Sequence, residues 1–213
     1  MNTIIIGVLS LQGSFREHIS MLNNIEGVKS VEVNNVDTLR NCDGLIIPGG
    51  ESSTMGKLLV DFGIKQELID RIRGGMPVFG TCAGAILLAN RILDEDYVHL
   101  SVMNMEVRRN AYGGQLDSFT SNTTFPDVSK FGQKDKVVHS DNFIVQSEPG
   151  FPTVFIRAPI IESVGKNCKI LGRHEGKIIA VQEKNMLATT FHPELTNDSR
   201  FHRYFVEIVK ENT

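Results

Sequence analysis

Short apolar runs alternate with segments of helical spacing along the first half of this chain. The apolar runs predict strands over residues 4–9, 28–33, 44–47 and 77–80, and the spacing predicts helices over residues 15–22, 58–73 (broken at Gly63) and 83–92. Strands that are apolar at consecutive positions are covered on both faces, and parallel strands need crossovers between them. The alternation therefore predicts a mostly parallel sheet that is flanked by helices.

The second half of the chain holds closely spaced strand candidates, at residues 103–108, 153–156, 168–171, 178–182 and 186–191. Some antiparallel strands are expected here. A closing amphipathic helix is predicted from apolar residues at helical spacing, namely Phe201, Tyr204, Phe205, Ile208 and Val209. Residues 120–152 are polar, with scattered Gly, Pro and Lys, and predict an irregular surface excursion. We expect one flavodoxin-like α/β domain over residues 1–213.

The charge balance gives no reason to expect an electrostatic partner. The formal net charge is −3 and 22% of the residues are charged, so nothing favours nucleic acid or an anionic membrane. No apolar run approaches the roughly 20 residues that span a bilayer. Three cysteines cannot form a fully paired set, and none has the spacing of a metal site. We therefore expect a cytoplasmic protein without a metal, in which a cysteine with a specific role is more often catalytic than structural.

A five-residue motif links the strand at residues 77–80 to the helix that follows it. Gly80-Thr81-Cys82-Ala83-Gly84 matches a glycine-framed nucleophile turn, in which small residues avoid clashes. The side chain at the apex of such a turn projects from the carboxyl edge of the sheet, where α/β folds bind ligands. The start of the helix favours a thiolate, and the N–H of Ala83 is placed to stabilise an oxyanion. The alternative is that Cys82 is a small buried cysteine at a strand end.

A second motif follows the strand at residues 186–191. His192 and Glu194 are two positions apart, so in an extended segment both side chains face the same side, and Pro193 suits a strand end. A cysteine nucleophile needs a base, and the base needs an acceptor that orients it. We therefore predict a catalytic triad of Cys82, His192 and Glu194. On its own, the His-Pro-Glu sequence is better explained as a solvated strand end.

The remaining cysteines and histidines lack such a setting. Neither Cys42 nor Cys168 has a glycine-framed turn after a buried strand, and both are interpreted as structural. Surface positions without a metal are predicted for the histidines outside the triad, which are His18 and His202 on helices and His99, His139 and His174 in loops or at strand edges.

A glycine-rich loop ends the strand at residues 44–47. The adjacent Gly49 and Gly50 allow unusual backbone angles and a close approach of N–H groups to a ligand, as the second half of an oxyanion hole requires. Glu51 could pair with the ammonium group of a ligand. A phosphate cradle is the rival interpretation, but no G-K-[ST] sequence follows and Glu51 would repel phosphate. A plain turn followed by a Ser/Thr helix cap is the structural interpretation, and it is compatible with an oxyanion role.

Together, the motifs resemble the glutaminase subunit of pyridoxal 5′-phosphate synthase, within the class I glutamine amidotransferase family. The resemblance covers nearly the whole chain. The cysteine turn and His-x-Glu are shared by class I glutaminases. The N-terminal segment at residues 7–13 and the Arg157-Ala158-Pro159 segment are more specific to this subfamily. The matching segments are residues 7–13, Glu17-His18, 48–52, 80–84, Arg109-Asn110, Gln115, Ser118-Phe119, 156–159 and 191–195.

The resemblance implies a fold, an activity and a partner. Cys82 would be the nucleophile, His192 the base and Glu194 its orienting partner, and Gln12 would lie beside the oxyanion residues Gly49, Gly50 and Ala83. Glutamine would be contacted by Gly50, Glu51, Ser52, Arg109, Ile156 and Arg157. The activity would be hydrolysis of glutamine through a γ-glutamyl thioester, without a cofactor. Ammonia would pass to a barrel-shaped synthase subunit that builds pyridoxal 5′-phosphate, within a large ring of paired subunits.

Two departures from the family pattern stand out. Gly114 occupies a place where the family usually has arginine, just before the glutamine that matches Gln115. Any contact of that arginine is therefore absent or supplied from elsewhere. The excursion at residues 120–152 is longer than in compact members, and no role is transferred to it.

The sequence leaves three alternatives open. The chain could be the glutaminase of another synthase, such as that for imidazole-glycerol phosphate, although the opening strand and oxyanion loop would then be expected to differ. A non-catalytic regulator of the same fold is a second alternative, and the intact triad argues against it. The third is a cysteine peptidase or chaperone on a similar sheet.

Overall fold

The computed structural model describes residues 3–93, 95–109, 118–132 and 150–213. The strands are β1 (Ile4–Leu9), β2 (Val28–Val33), β3 (Gly44–Ile47), β4 (Val78–Thr81), β5 (Ala89–Ile92), β6 (Met103–Arg108), β7 (Ser118–Thr123), β8 (Phe151–Ile156), β9 (Ile160–Val164), β10 (Cys168–His174), β11 (Lys177–Glu183) and β12 (Met186–Thr189). The α-helices are α1 (Phe15–Asn23), α2 (Val36–Arg40), α3 (Ser52–Asp61), α4 (Lys65–Arg73), α5 (Ala83–Leu88), α6 (Pro126–Ser129) and α7 (Arg200–Glu211), and a 3-10 helix spans Pro193–Leu195.

Ten of these strands form one sheet, in the order β2-β1-β3-β4-β12-β11-β9-β6-β5, with β10 paired to β11. Neighbours from β2 to β12 are parallel, whereas β12, β11, β9 and β6 pair antiparallel in turn. Strands β7 and β8 form a separate antiparallel pair. The predicted α/β fold, mostly parallel and with antiparallel strands in the second half, is confirmed.

Helices cover both faces of the parallel half of the sheet. Ile6, Val8 and Phe79 belong to the core cluster that includes α1 and α7, whereas Leu45 and Ile47 belong to the cluster that includes α3, α4 and α5. Successive strand residues point to opposite faces, so a strand covered on both sides must be apolar at every position. No helix in the described ranges is long and apolar enough to cross a membrane.

Several predicted boundaries differ from those observed. The helix predicted over residues 83–92 ends at Leu88, and Ala89–Ile92 form β5, which pairs with β6. The predicted excursion at residues 120–152 is wrong in part, because it includes most of β7, all of α6 and the first residues of β8, while residues 133–149 lie outside the described ranges. The last strand ends at Thr189 rather than 191. The break at Gly63, between α3 and α4, is confirmed.

Candidate active site

Cys82 lies at a strained turn between β4 and α5. Its φ of 49° lies in the left-handed region, which is uncommon for a residue with a side chain. A Cβ on Gly80 would lie 2.6 Å from the carbonyl carbon of Gly84, and a Cβ on Gly84 would lie 2.9 Å from that of Ile47. The backbone N–H of Cys82 donates to the carbonyl oxygen of Thr189 at 2.8 Å. The glycines therefore permit the tight turn that raises Cys82 from the carboxyl edge of the sheet.

His192 reaches the same edge from the neighbouring strand. β12 runs parallel to β4, with Thr189 opposite Thr81, and the N–H of His192 donates to the carbonyl oxygen of Val154 at 2.8 Å. Nδ1 of His192 lies 2.7 Å from Oε1 of Glu194. Glu194 lies in the 3-10 turn rather than in an extended segment. The predicted contact is therefore present, but a helical turn and not strand alternation produces it.

The imidazole of His192 lies against Cys82. A Cβ on Gly49 would be 2.9 Å from Nδ1 of His192 and 3.3 Å from Cβ of Cys82. Gly49, Cys82 and His192 are therefore closely packed. Burial lowers the pKa of His192, but hydrogen bonds to Cys82 and Glu194 outweigh burial and raise this pKa to about 10. The imidazole is thus poised to accept and hold a proton next to the thiol.

Glu194 is held in its ionised form although it is only 4% exposed. Burial raises its pKa, but His18, His192 and the hydroxyl of Ser14 lower it to about 2 in sum. Ser14 Oγ donates to Oε1 of Glu194 at 2.6 Å. The N–H of Ser14 also donates to the carbonyl oxygen of Gly49 at 3.0 Å. Ser14, which the sequence did not single out, therefore joins the carboxylate to the glycine loop.

A cavity of about 470 Å³ opens beside Cys82 and His192. Of the residues predicted to form the catalytic triad, the oxyanion hole and the glutamine contacts, only Glu194 does not line it, because its carboxylate lies behind His192. The lining residues are Gln12, Gly13, Ser14, Gly49, Gly50, Glu51, Ser52, Cys82, Ala83, Ile86, Arg109, Ile156, Arg157, His192 and Leu195. The structure thus brings together segments that are far apart in the sequence.

Gln12, in the segment that follows β1, contacts the glycine loop. Its Oε1 accepts a hydrogen bond of 2.9 Å from the N–H of Glu51. The side-chain amide also packs against Gly50, where Cδ would lie 3.2 Å from an added Cβ. Gln12 therefore holds the Gly49–Gly50 loop in place through these two contacts.

Glu51 and Arg109 place opposite charges on the cavity wall. Oε1 of Glu51 lies 3.0 Å from Nη2 of Arg109, and the carboxylate also accepts from the N–H groups of Ser53 and Thr54 at the start of α3. Burial raises the pKa of Glu51, but these N–H groups and Arg109 lower it below its usual value. Nη1 of Arg109 donates to the hydroxyl groups of Ser53 and Tyr97. The pair offers one fixed anion and one fixed cation to a ligand.

Cys42 and Cys168 lie away from the cavity. Sγ of Cys42 donates to the carbonyl oxygen of Thr38 and Sγ of Cys168 to that of Asn104. Burial raises the pKa of each thiol to about 11. Both remain protonated near neutrality, which agrees with a structural role.

The prediction of surface positions is wrong for two histidines. His18 and His202 are fully buried, because each shares its helix face with apolar residues at helical spacing, Leu22 for His18 and Phe205 for His202. The spacing of these apolar residues could have predicted that both histidines are buried. His99 and His174 are partly buried, and His139 lies outside the described residues. Within the described part of the chain, no cluster of His, Cys, Asp and Glu could hold a metal ion.

Comparisons with known proteins agree with this geometry. A relative from Thermoanaerobacter sp. (strain X514), named pyridoxal 5′-phosphate synthase subunit PdxT, is 47% identical over 203 residues, which cover 95% of this chain and 98% of the relative. A relative of the same name from Streptococcus pneumoniae (strain CGSP14) is 46% identical over 210 residues, with 97% of each chain covered.

A solved structure described as a glutamine amidotransferase has a TM-score of 0.82 and 38% identity, and the match covers 96% of this chain and 98% of that one. The SNO glutamine amidotransferase family matches residues 8–211. With a match of this length, the chain belongs to the SNO glutamine amidotransferase family.

Proposed function

We propose that this chain hydrolyses glutamine to glutamate and ammonia, with Cys82 as nucleophile, His192 as base and Glu194 as the group that orients the base. The observation that carries the proposal is the meeting of a strained cysteine turn and a buried His–Glu pair at one end of a cavity. Thiol, imidazole and carboxylate in this order form an activated nucleophile.

The chemistry follows from the placement of these groups. His192 removes the proton of the thiol, and the sulfur of Cys82 attacks the carboxamide carbon of glutamine. The N–H groups of Ala83 and of the Gly49–Gly50 loop stabilise the oxyanion that forms. The C–N bond then breaks, the departing nitrogen takes the proton from His192, and a γ-glutamyl thioester remains. A water molecule that gives its proton to His192 cleaves the thioester, which releases glutamate and returns the thiol.

The cavity wall supplies the groups that recognise a free amino acid. In our proposal, Arg109 binds the α-carboxylate and Glu51 the α-ammonium group, because the two side chains present opposite charges 3.0 Å apart. Ser52, Gly50, Ile156 and Arg157 complete the substrate contacts. A cavity of about 470 Å³ lies within the usual range for small-molecule sites. An amino acid that lacks either charge should therefore bind poorly.

The ammonia needs an acceptor. The relatives are named as a subunit of pyridoxal 5′-phosphate synthase, and we propose that this chain, as one catalytic domain over residues 1–213, passes ammonia to the barrel-shaped synthase subunit within a large hetero-oligomer. A free nucleophilic thiol suits a reducing compartment, so we place the complex in the cytoplasm.

The test is glutamate release in the presence of the pyridoxal 5′-phosphate synthase subunit. Cys82→Ala should lower this activity by at least about a thousandfold, since the nucleophile is lost, while the two chains still associate. Cys168→Ala is the matched control and should keep native activity. Substantial hydrolysis by Cys82→Ala would refute the assignment.

The choice of partner is tested separately. We expect the pyridoxal 5′-phosphate synthase subunit to stimulate hydrolysis and imidazole-glycerol phosphate synthase to have no effect. The opposite result would keep the glutaminase chemistry but replace the partner.

A further inference from the structure

Two buried imidazoles form a chain behind the triad. Nδ1 of His18 lies 2.9 Å from Nε2 of His202, and Nε2 of His18 lies 3.4 Å from Oε2 of Glu194 and 3.2 Å from Oγ1 of Thr81. Both imidazoles are fully buried. We infer that His18, supported by His202, is a positioning residue that holds the Glu194 carboxylate from the side opposite to His192. This inference rests on the proposed glutaminase function.

The direction of the hydrogen bonds follows from the charge of Glu194. If Nε2 of His18 carries the proton, this N–H faces Oγ1 of Thr81 at 3.2 Å and Oε2 of Glu194 at 3.4 Å, and Nδ1 then accepts from Nε2–H of His202. Nδ1 of His202, which has no hydrogen-bond partner among the described residues, is then an unprotonated acceptor.

The other tautomer of His18, with the proton on Nδ1, is unfavourable at both Glu194 and His202. A proton on Nδ1 of His18 would leave a nitrogen lone pair facing Oε2 of Glu194. His202 would then accept at Nε2, and its remaining proton would be a buried donor at Nδ1 without a described partner. A buried unpaired donor costs more than an unused acceptor lone pair next to apolar atoms. Both histidines are therefore neutral and protonated on Nε2.

Neutrality is consistent with the surroundings of the pair. Burial lowers the pKa of His18, although Glu194 acts in the opposite direction. Burial also lowers the pKa of His202, to about 3, with a further contribution from His18. The rings contact the side of Phe79, which offers no hydrogen bond. His18 thus presents the N–H of Nε2 to the Glu194 carboxylate at 3.4 Å.

The two oxygens of Glu194 are held by different partners. Oε1 accepts from Ser14 at 2.6 Å and contacts Nδ1 of His192 at 2.7 Å. Among the described residues, the polar contact of Oε2 is the 3.4 Å one with His18. Loss of His18 would leave Oε2 buried without a donor. The carboxylate would then rotate toward other donors and carry the His192 imidazole away from Cys82, which lowers the rate of the chemical steps.

The activity test compares two substitutions of His18 with the synthase subunit present. Gln carries an N–H near the position of Nε2, whereas Leu fills similar space without a donor. We expect His18→Leu to lower kcat for glutamine hydrolysis at least tenfold with little change in KM, and His18→Gln to stay within about threefold of native. His174→Leu, a half-buried histidine outside the cavity, is the matched control and should keep native kcat.

The outcomes separate the two proposals. Native kcat in His18→Leu, or equal losses in His18→Leu and His18→Gln, would overturn the positioning role while leaving the glutaminase function in place. Absence of glutamine hydrolysis in the native chain with every synthase tested would instead remove the proposed function.

If His18→Leu does not fold, nitrogen-15 NMR of the native full chain tests the protonation of His18 and His202 instead. We expect His18 and His202 to be neutral Nε2–H tautomers from pH 6 to 8, with a coupling across the hydrogen bond between Nε2 of His202 and Nδ1 of His18. A proton on Nδ1 of His18, or a doubly protonated ring, would overturn the inference.

Discussion

Gly49 lies between the two side chains that are proposed to react. Its backbone does not require glycine, since no left-handed φ occurs there. An added methyl group would instead lie 2.9 Å from Nδ1 of His192 and 3.3 Å from Cβ of Cys82, inside normal van der Waals separation for the imidazole. The missing side chain at position 49 therefore makes room for the imidazole to lie against the thiol.

Gly49→Ala should accordingly harm catalysis more than folding. We expect kcat/KM for glutamine to fall about 100-fold, because a displacement of the base by about 1 Å is enough for such a loss. Steady-state glutamine hydrolysis with the synthase subunit present measures this loss. Gly74→Ala is the matched control, because Gly74 caps the C-terminus of α4 with helical backbone angles that alanine also adopts. Native activity in Gly49→Ala would show that His192 is not confined at this position.

At the residue scale, the sequence predicted the groups that form local motifs. Cys82 was found through its flanking glycines, and His192 and Glu194 through their spacing. Ser14 and His18 act through contacts with Glu194, a residue 180 positions beyond Ser14. No local pattern encodes such a contact, although the apolar spacing on α1 indicates that His18 is buried.

At the element scale, α1 and α7 pack together on one face of the sheet and bury the two neutral imidazoles. Thr81, at the end of β4, contacts His18 from the sheet side, and His18 contacts His202 from α7. Burial by these helices therefore lowers the pKa of both histidines, which would bind a proton more readily in the unfolded chain.

Stability should fall as the pH decreases below 6.5. The pKa of His202 is about 3 in the folded chain against 6.5 unfolded, and that of His18 is also lowered, so the unfolded state binds more protons in this window. Well below pH 6.5, His202 then contributes a slope of about 1.4 kcal/mol per pH unit, and His18 acts in the same direction. His192 acts in the opposite direction near pH 6.5 and adds no slope well below it, because its pKa is raised to about 10, and Glu194 contributes only below about 4.5.

Urea unfolding between pH 6 and 5 measures this dependence. His202→Phe should lose about 1.4 kcal/mol per pH unit of the slope, whatever its stability at pH 7. Equal slopes for the native chain and His202→Phe would mean that His202 is not buried in its neutral form.

The predicted elements failed where an apolar run fits more than one structure. Residues 83–92 are apolar enough for a helix, yet the chain leaves the helix after Leu88 because Ala89–Ile92 pair with β6. That pairing depends on a strand from a later part of the chain, so periodicity alone does not distinguish the two structures. β9 was missed for the same reason, since its place is set by β6 and β11.

At the scale of the whole molecule, the site depends on the order of strands. The turn at Cys82 follows β4, and His192 follows β12, its parallel neighbour, although most of the chain's second half separates them in sequence. The sequence predicted a parallel sheet whose carboxyl edge binds the ligand. The sequence did not predict that β12 inserts between β4 and β11, which is the placement that brings His192 to Cys82.

Covalent labelling by an electrophilic analogue of glutamine, with the synthase subunit present and with the labelled peptide identified by mass spectrometry, tests this convergence most directly. We predict one adduct, on Cys82, and at least a tenfold slower reaction in His192→Ala. Cys42 and Cys168 should remain unlabelled, since burial raises the pKa of both thiols to about 11. An adduct on either of these two cysteines, or an unchanged rate in His192→Ala, would contradict the account.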